Sequence, residues 1–395
     1  MPFRLPARYP LLALSLSLGL QPALAQPMDD LPGPAAEQRA PETLGDQTAA
    51  PPSGEASPTG ATSSPLSSET LRGPQGADGA PATTGDSAAD KTRAQLVIIS
   101  FDGAHDNRLW EKSLEMGART GAHFTYFLSC TFLMTKAEGG RAYKAAGHKP
   151  GASNVGFAQS REEIAARVRH IWRAHEAGHE IGSHGCGHFD GKLWSKTDWT
   201  AEFKAFHAAF DGAWATAGID AEKPEGWAAL GRSVQGFRAP YLSTSDGLVP
   251  AERMAGYAYD ASLVTKGPAW PTAEDGLPRF GLPLIAEGPS ARRVIGMDYN
   301  LFVRHSMGVE NRKDSALFEE RTLKAYRQAF EAEYAGRRIP LQLGFHFVEM
   351  NGGAYWHALD RFLSETCRKP DVACVSYHEA LPLIEARRKT DPSAF

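Results

Sequence analysis

Two histidines four residues apart, His184 and His188, stand in the stretch of residues 180–191, read E-I-G-S-H-G-C-G-H-F-D-G. Gly185 and Gly187 flank the residue between them, and a backbone free to adopt left-handed angles can curl tightly enough to turn both rings to one point. Two imidazoles on a tight element, joined by a carboxylate from elsewhere, are a ligand set for a divalent metal such as zinc. The H-x3-H spacing is common. Two unrelated surface histidines are the commoner reading of that stretch alone, so the rest of the chain must decide.

The elements that would position these rings alternate between strand and helix. Residues 95–100, Q-L-V-I-I-S, form an apolar, β-branched run of the kind buried on both faces of a parallel sheet, and it runs into Phe101, Asp102 and Gly103. A carboxylate just past the C-terminal end of such a strand is where α/β folds place chemistry; a turn or helix cap is an equal reading of Asp102. Further strands are expected at residues 123–129, 180–183, 234–237, 257–263, 294–297, 341–345 and 372–377. Between them, Ser160 with Glu163 reads as a capping box ahead of Ile164, Val168 and Ile171 at helical spacing, with Gly178 as the stop. Trp199, Phe203, Phe206, Phe210 and Trp214 form one apolar stripe, which is core packing rather than a cofactor box. Residues 136–157 lack periodicity and read as a surface loop. Polar residues fall at several strand ends: Asp102, His184 with His188, Arg238, Asp298 and His346. In a barrel those ends meet at one rim, so the expected fold is α/β, a distorted TIM-like (β/α) barrel with about seven parallel strands.

The chain has 395 residues and a formal net charge of −4, enough for a sizeable core and without the basic footprint of a nucleic-acid binder. Arg4 and Arg8 precede an apolar run at residues 11–20 and an A-x-A step at Ala23 and Ala25, the order of a secretory signal, so residues 1–25 are expected to be removed on export to a periplasm or beyond the cell. No later run is apolar for long enough to span a bilayer, so no membrane span is expected once the signal is gone. Residues 26–92 are rich in Pro, Ala, Gly, Ser and Thr and read as a disordered linker, leaving residues 93–390 as the domain. The four cysteines allow three pairings; Cys130 with Cys186 and Cys367 with Cys374 are expected, Cys186 as a nucleophile or metal thiolate being the alternative.

Taken together the motifs resemble the polysaccharide deacetylase family, the NodB homology domain of carbohydrate esterase family 4. Its apolar strand into T-F-D-D-G is similar to S-F-D-G at Ser100 to Gly103; its S-H-[ST]-x-x-H to S-H-G-C-G-H at Ser183 to His188; its R-x-P-Y to Arg238 to Tyr241; its late strand ending in His to Leu343 to His346. The resemblance spans roughly residues 95–380. It implies a divalent metal, zinc foremost with cobalt, nickel or manganese as alternatives, held by His184 and His188. It also implies that Asp102 is the general base held by Arg238, that the Tyr241 N–H stabilises the oxyanion, and that His346 is the general acid, with Asp298 as the candidate to orient it. Gly103 departs from the pattern, because family members carry the third ligand, an Asp, there. Asp106 is preferred as the substitute carboxylate, with Asp102, His105 or a water as alternatives. The implied activity is metal-dependent removal of acetyl groups, mainly N-acetyl, from a polysaccharide or peptidoglycan-type glycan. The competing readings are a glycan-binding module that has lost catalysis and a hydrolase of a small amide or ureide. Tyr355 and Trp356 read equally as a sugar platform or as helix packing. Which glycan is acted on, and the oligomeric state, stay open.

Overall fold

The computed structural model describes residues 93–395; the expected signal (1–25) and linker (26–92) lie outside the described residues. The strands are β1 (Gln95–Gly103), β2 (Thr125–Leu128), β3 (Glu180–Ser183), β4 (Gly236–Phe237), β5 (Tyr259–Thr265), β6 (Thr272–Glu274), β7 (Leu277–Glu287), β8 (Arg292–Ile295), β9 (Leu341–His346) and β10 (Val372–Val375). Among the described residues β9, β1, β2, β3, β4, β5 and β7 run as one parallel series. Its ends approach through residue 296: Gly296 N donates to Pro283 O of β7 at 2.8 Å, and Gly344 N of β9 donates to Gly296 O at 2.9 Å. The sheet therefore curls towards closure as a distorted barrel with the seven parallel strands expected. β10 adds in parallel to the start of β1, while β6 and β8 pair antiparallel with β7.

Alternation along β1 sorts its side chains into two buried layers. Val97, Ile99 and Phe101 pack outward in the main core, against residues such as Trp110 and Trp356. Leu96 and Ile98 face a second cluster with Phe127, Tyr259, Phe280 and Tyr377. Ser100 and Asp102 continue that second row, so period two alone carries Asp102 into the curl.

The longest strand, β7, falls in a segment whose sequence gives no clear pattern. Pro278, Gly281 and Pro283 interrupt its alternation, and residues of those types ordinarily argue against a strand. The 136–157 connection is also not wholly irregular: Lys136–Ala142 is a short helix with a Thr135–Glu138 capping box. At Ser160 the box is half made. The hydroxyl takes Glu163 N–H, but the Glu163 carboxylate goes to Gln159 N and to Arg167. Tyr355 and Trp356 are buried, which settles them as packing: Trp356 lies 5.0 Å from the Phe101 ring. Both expected disulfides are present, Cys130–Cys186 and Cys367–Cys374. Among the described residues no helix is long and apolar enough to cross a membrane.

His179 closes the turn before β3 and gives the fold an acid sensitivity. Its Nδ1 accepts Phe124 N–H at 2.9 Å and its ring stacks on Phe124. Burial, then the charge of His123, holds its pKa down at about 4 against an ordinary 6.5. Above pH 6.5 the ring is neutral folded or unfolded. Below it the unfolded chain takes the proton first, so the stability present at neutral pH drains away as pH falls towards 4, by up to about 3 kcal/mol. Urea unfolding at pH 7.5 and pH 5 should show this loss, and His179→Gln should remove much of the difference. An unchanged pH dependence in that variant would refute the assignment.

Candidate functional site

Strand register assembles the site. Asp102 on β1 stands directly opposite His346 on β9; on the other side Leu128 of β2 aligns with Ser183 of β3, and Ser183 with Phe237 of β4. His184 and Arg238, each one residue further on, therefore emerge from adjacent strands at the same C-terminal rim.

Asp102 and Arg238 are a buried ion pair. Arg238 Nη1 donates to Asp102 Oδ1 at 2.8 Å and to Ser100 Oγ at 2.7 Å, Nε to Ala261 O at 3.0 Å, and Nη2 to Tyr377 Oη at 2.9 Å. The guanidinium also lies 4.6 Å from the Phe127 ring centre. An ion pair taken out of water is tolerated when geometry and extra hydrogen bonds offset desolvation, and every nitrogen of this guanidinium has an acceptor.

The two imidazoles meet as expected: their ring centres are 5.0 Å apart. His184 Nδ1 lies 2.7 Å from Arg238 O. A carbonyl only accepts, so Nδ1 carries the hydrogen and Nε2 keeps its lone pair, the tautomer of a metal-binding histidine. Burial lowers the pKa of His184, and burial followed by the charges of His184 and His346 lowers that of His188 further. Both rings are thereby kept neutral and able to donate lone pairs. His188 takes φ +55°, and its ring packs 4.5 Å from that of Tyr241. Tyr241 (φ +58°) and Leu242 (φ +54°) are consecutive left-handed residues without being glycine. Strain of that kind persists only where the surroundings enforce it, and it collects at functional sites.

His346 and Asp298 form the third unit. His346 Nδ1 is 2.7 Å from Asp298 Oδ1, and its backbone N donates to Oδ2 at 2.8 Å. Asp298, the first residue of the Asp298–Ser306 helix, also takes Tyr299 N–H at 2.7 Å, so the same carboxylate that fixes the ring is itself held by the helix's first turn. The carboxylate accepts from Nδ1, which fixes the tautomer and the orientation of the ring.

Asp106, the expected carboxylate ligand, is corrected. It is the N-cap of the Asn107–Thr120 helix, its Oδ1 taking Arg108 N–H at 2.8 Å and its Oδ2 pairing with Arg108 Nη2 at 2.7 Å. Among the described residues no three His, Cys, Asp or Glu side chains gather as a metal cage requires, so neither Asp106 nor His105 joins the two histidines as a third ligand. His105 stacks on Phe132 instead. The turn explains the departure at residue 103: Gly103 has φ +84° and Ala104 φ +52°. An aspartate at 103 would be forced into a backbone that side-chain-bearing residues avoid. Among the described residues, His184 and His188 are thus a pair of imidazoles with no third His, Cys, Asp or Glu side chain placed to complete a metal cage.

The sequence reading missed four residues that bear on the site. Ser100 and Tyr377 hold Arg238; Glu202 and Tyr143 hold the loop between the histidines. Glu202 had left a trace, as an acid set within the aromatic stripe of its helix.

The chain is similar in its path to polysaccharide deacetylases of carbohydrate esterase family 4. A protein from Mycobacterium smegmatis assigned as a polysaccharide deacetylase aligns over 75% of this chain and 92% of its own, at 17% identity and a TM-score of 0.45. The peptidoglycan deacetylase PdaC from Bacillus subtilis aligns over 76% and 96%, at 10% identity and a TM-score of 0.40. A CE4 family pseudoenzyme from Bacillus anthracis aligns over 73% and 66%, at 12% identity and a TM-score of 0.39. No family model and no curated protein matches the sequence.

Proposed function

We propose that the protein is an exported hydrolase that removes acetyl groups, mainly from N-acetylated sugars of a polysaccharide or peptidoglycan-type glycan, with a divalent cation, zinc foremost, held by His184 and His188. The observation that carries this reading is the convergence of a buried acid–guanidinium pair, two neutral imidazoles and an acid-supported histidine on one rim. Amide hydrolysis needs a base for water and an acid for the departing nitrogen. Asp102, fixed by Arg238, takes the proton from the attacking water. His346 hands a proton from Nε2 to the leaving amine, while Asp298 supports the charge on its ring. The Tyr241 backbone N–H is the donor for the developing oxyanion. A bound divalent cation would supply Lewis acidity and lower the pKa of water towards about 7. The two disulfides suit an oxidising compartment.

Acetate release from N-acetylglucosamine oligomers, screened with zinc, cobalt, nickel and manganese, tests the activity. His184→Ala should strip bound metal in elemental analysis, to under about a tenth of the wild-type content, because one of two protein ligands is gone. Wild-type metal content in that variant would remove His184 from the site. The two-ligand donor set also favours a second reading, a module that binds glycan without turnover. That reading predicts oligomer binding with no acetate released at any metal.

A further inference from the structure

The backbone N–H and C=O groups of Gly185, Cys186 and Gly187, between the two histidines, are all hydrogen-bonded within the protein, Gly185 N donating to Ser183 Oγ at 3.2 Å. Cys130 N donates to Gly185 O at 2.9 Å and Asn154 N to Gly187 O at 2.8 Å. Thr131 Oγ1 donates to Cys186 O at 3.0 Å, and Asn154 Nδ2 to His188 O at 3.0 Å. From beneath, Cys186 N donates to Glu202 Oε1 at 2.7 Å and Gly187 N to Tyr143 Oη at 3.0 Å, while that hydroxyl donates in turn to the Glu202 carboxylate at 3.0 Å. The Cys130–Cys186 disulfide ties the same turn covalently to the segment after β2.

Glu202 lies on the Lys196–Asp211 helix, among Trp199, Phe203 and Phe206, and is 5% exposed. A carboxyl group in such a setting is costly unless its hydrogen bonds repay burial, and here the loop and Tyr143 supply them. The two glycines make room for it: a Cβ on Gly185 would stand 3.1 Å from Glu202 Oε1, and one on Gly187 would stand 2.7 Å from Tyr143 Oη. The absence of side chains at 185 and 187 thus lets the carboxylate and the phenol reach the backbone between the histidines.

We propose that Glu202, acting through the Cys186 N–H and through Tyr143, is the positioning residue that sets the two imidazoles, so that a two-histidine metal site is arranged by the protein scaffold rather than by a third side-chain ligand. The proposal rests on the metal-binding reading of His184 and His188, and its test separates the two. Partners that orient metal-bound histidines are worth roughly 10 to 100-fold in metal affinity.

The experiment measures zinc affinity by competition titration and histidine-ring ¹⁵N resonances in the metal-free protein, for wild type, Glu202→Gln and Tyr143→Phe. Glu202→Gln should weaken zinc binding by about 10 to 100-fold and shift the His184 and His188 ring signals, with those of exposed His357 and the unfolding midpoint nearly unmoved. Tyr143→Phe should act in the same direction, by about tenfold or less. A folded Glu202→Gln protein with wild-type zinc affinity and unshifted His184 and His188 rings overturns the proposal. Should Glu202→Gln fail to fold, Tyr143→Phe is judged by the same two readouts. If wild type binds no zinc, the metal reading falls, and the ring resonances alone decide: moved rings uphold the positioning role and unmoved rings sink it.

Discussion

Asp102→Asn will cut acetate release by at least about 10²-fold, the usual worth of a general base. The substitution is nearly isosteric and keeps an oxygen for Arg238 Nη1, so it removes basicity rather than shape. Arg238 retains Ser100, Ala261 and Tyr377 as acceptors, which keeps the guanidinium satisfied. The loss should therefore appear in kcat with KM changed little, alongside a lowered thermal midpoint, because the buried guanidinium loses its counter-charge. A variant that hydrolyses within about threefold of wild type would remove Asp102 from proton transfer.

Arg238→Met will act on stability first. It leaves the Asp102 carboxylate, almost wholly out of water, without its counter-charge, and breaking one side of a buried pair costs about 3–5 kcal/mol. It also removes the donors to Tyr377 Oη, which keeps its own bond to Gln342 Oε1, and to Ala261 O. Urea denaturation should resolve a change of that size. Adding Asp102→Asn to Arg238→Met should recover at least about 1 kcal/mol, because the uncompensated charge goes with it. A single variant within about 1 kcal/mol of wild type, or a double variant with no recovery, would show that the pair is not what stabilises this rim.

The chemistry-bearing rim was legible because strand ends advertise themselves. An apolar run that stops at Asp102, at His184, at Arg238 or at His346 is a local signal, and parallel register does the rest. The cysteine pairing was legible for the same reason, since Cys130 and Cys186 follow neighbouring strands. What the sequence concealed had non-local causes. Asp106 reads as a carboxylate three residues beyond Gly103, and nothing in the string of letters says that Arg108 will claim it while it caps a helix. β7 was hidden by its prolines: the pairing of Pro278 with Ala273 of β6 and of Pro283 with Thr265 of β5 is a tertiary outcome that local propensity argues against. Glu202 was hidden by its company, because an acid in an aromatic stripe looks like a solvated position until the loop it serves is in place.

Arg238 is held by residues drawn from distant parts of the chain, and this bears on how the protein comes into being. Tyr377, which supports the guanidinium from the first turn of the last long helix, is 139 positions downstream of it, and residue 346, which faces Asp102 across the sheet, is made far later than β1. A polypeptide emerging from the ribosome N-terminus first thus carries its acid, and later its histidine loop, through most of the synthesis that follows each with neither neighbour present. On the proposed function, activity can begin only once β9 and the last long helix have joined the sheet, so a chain cut short before residue 346 should release no acetate.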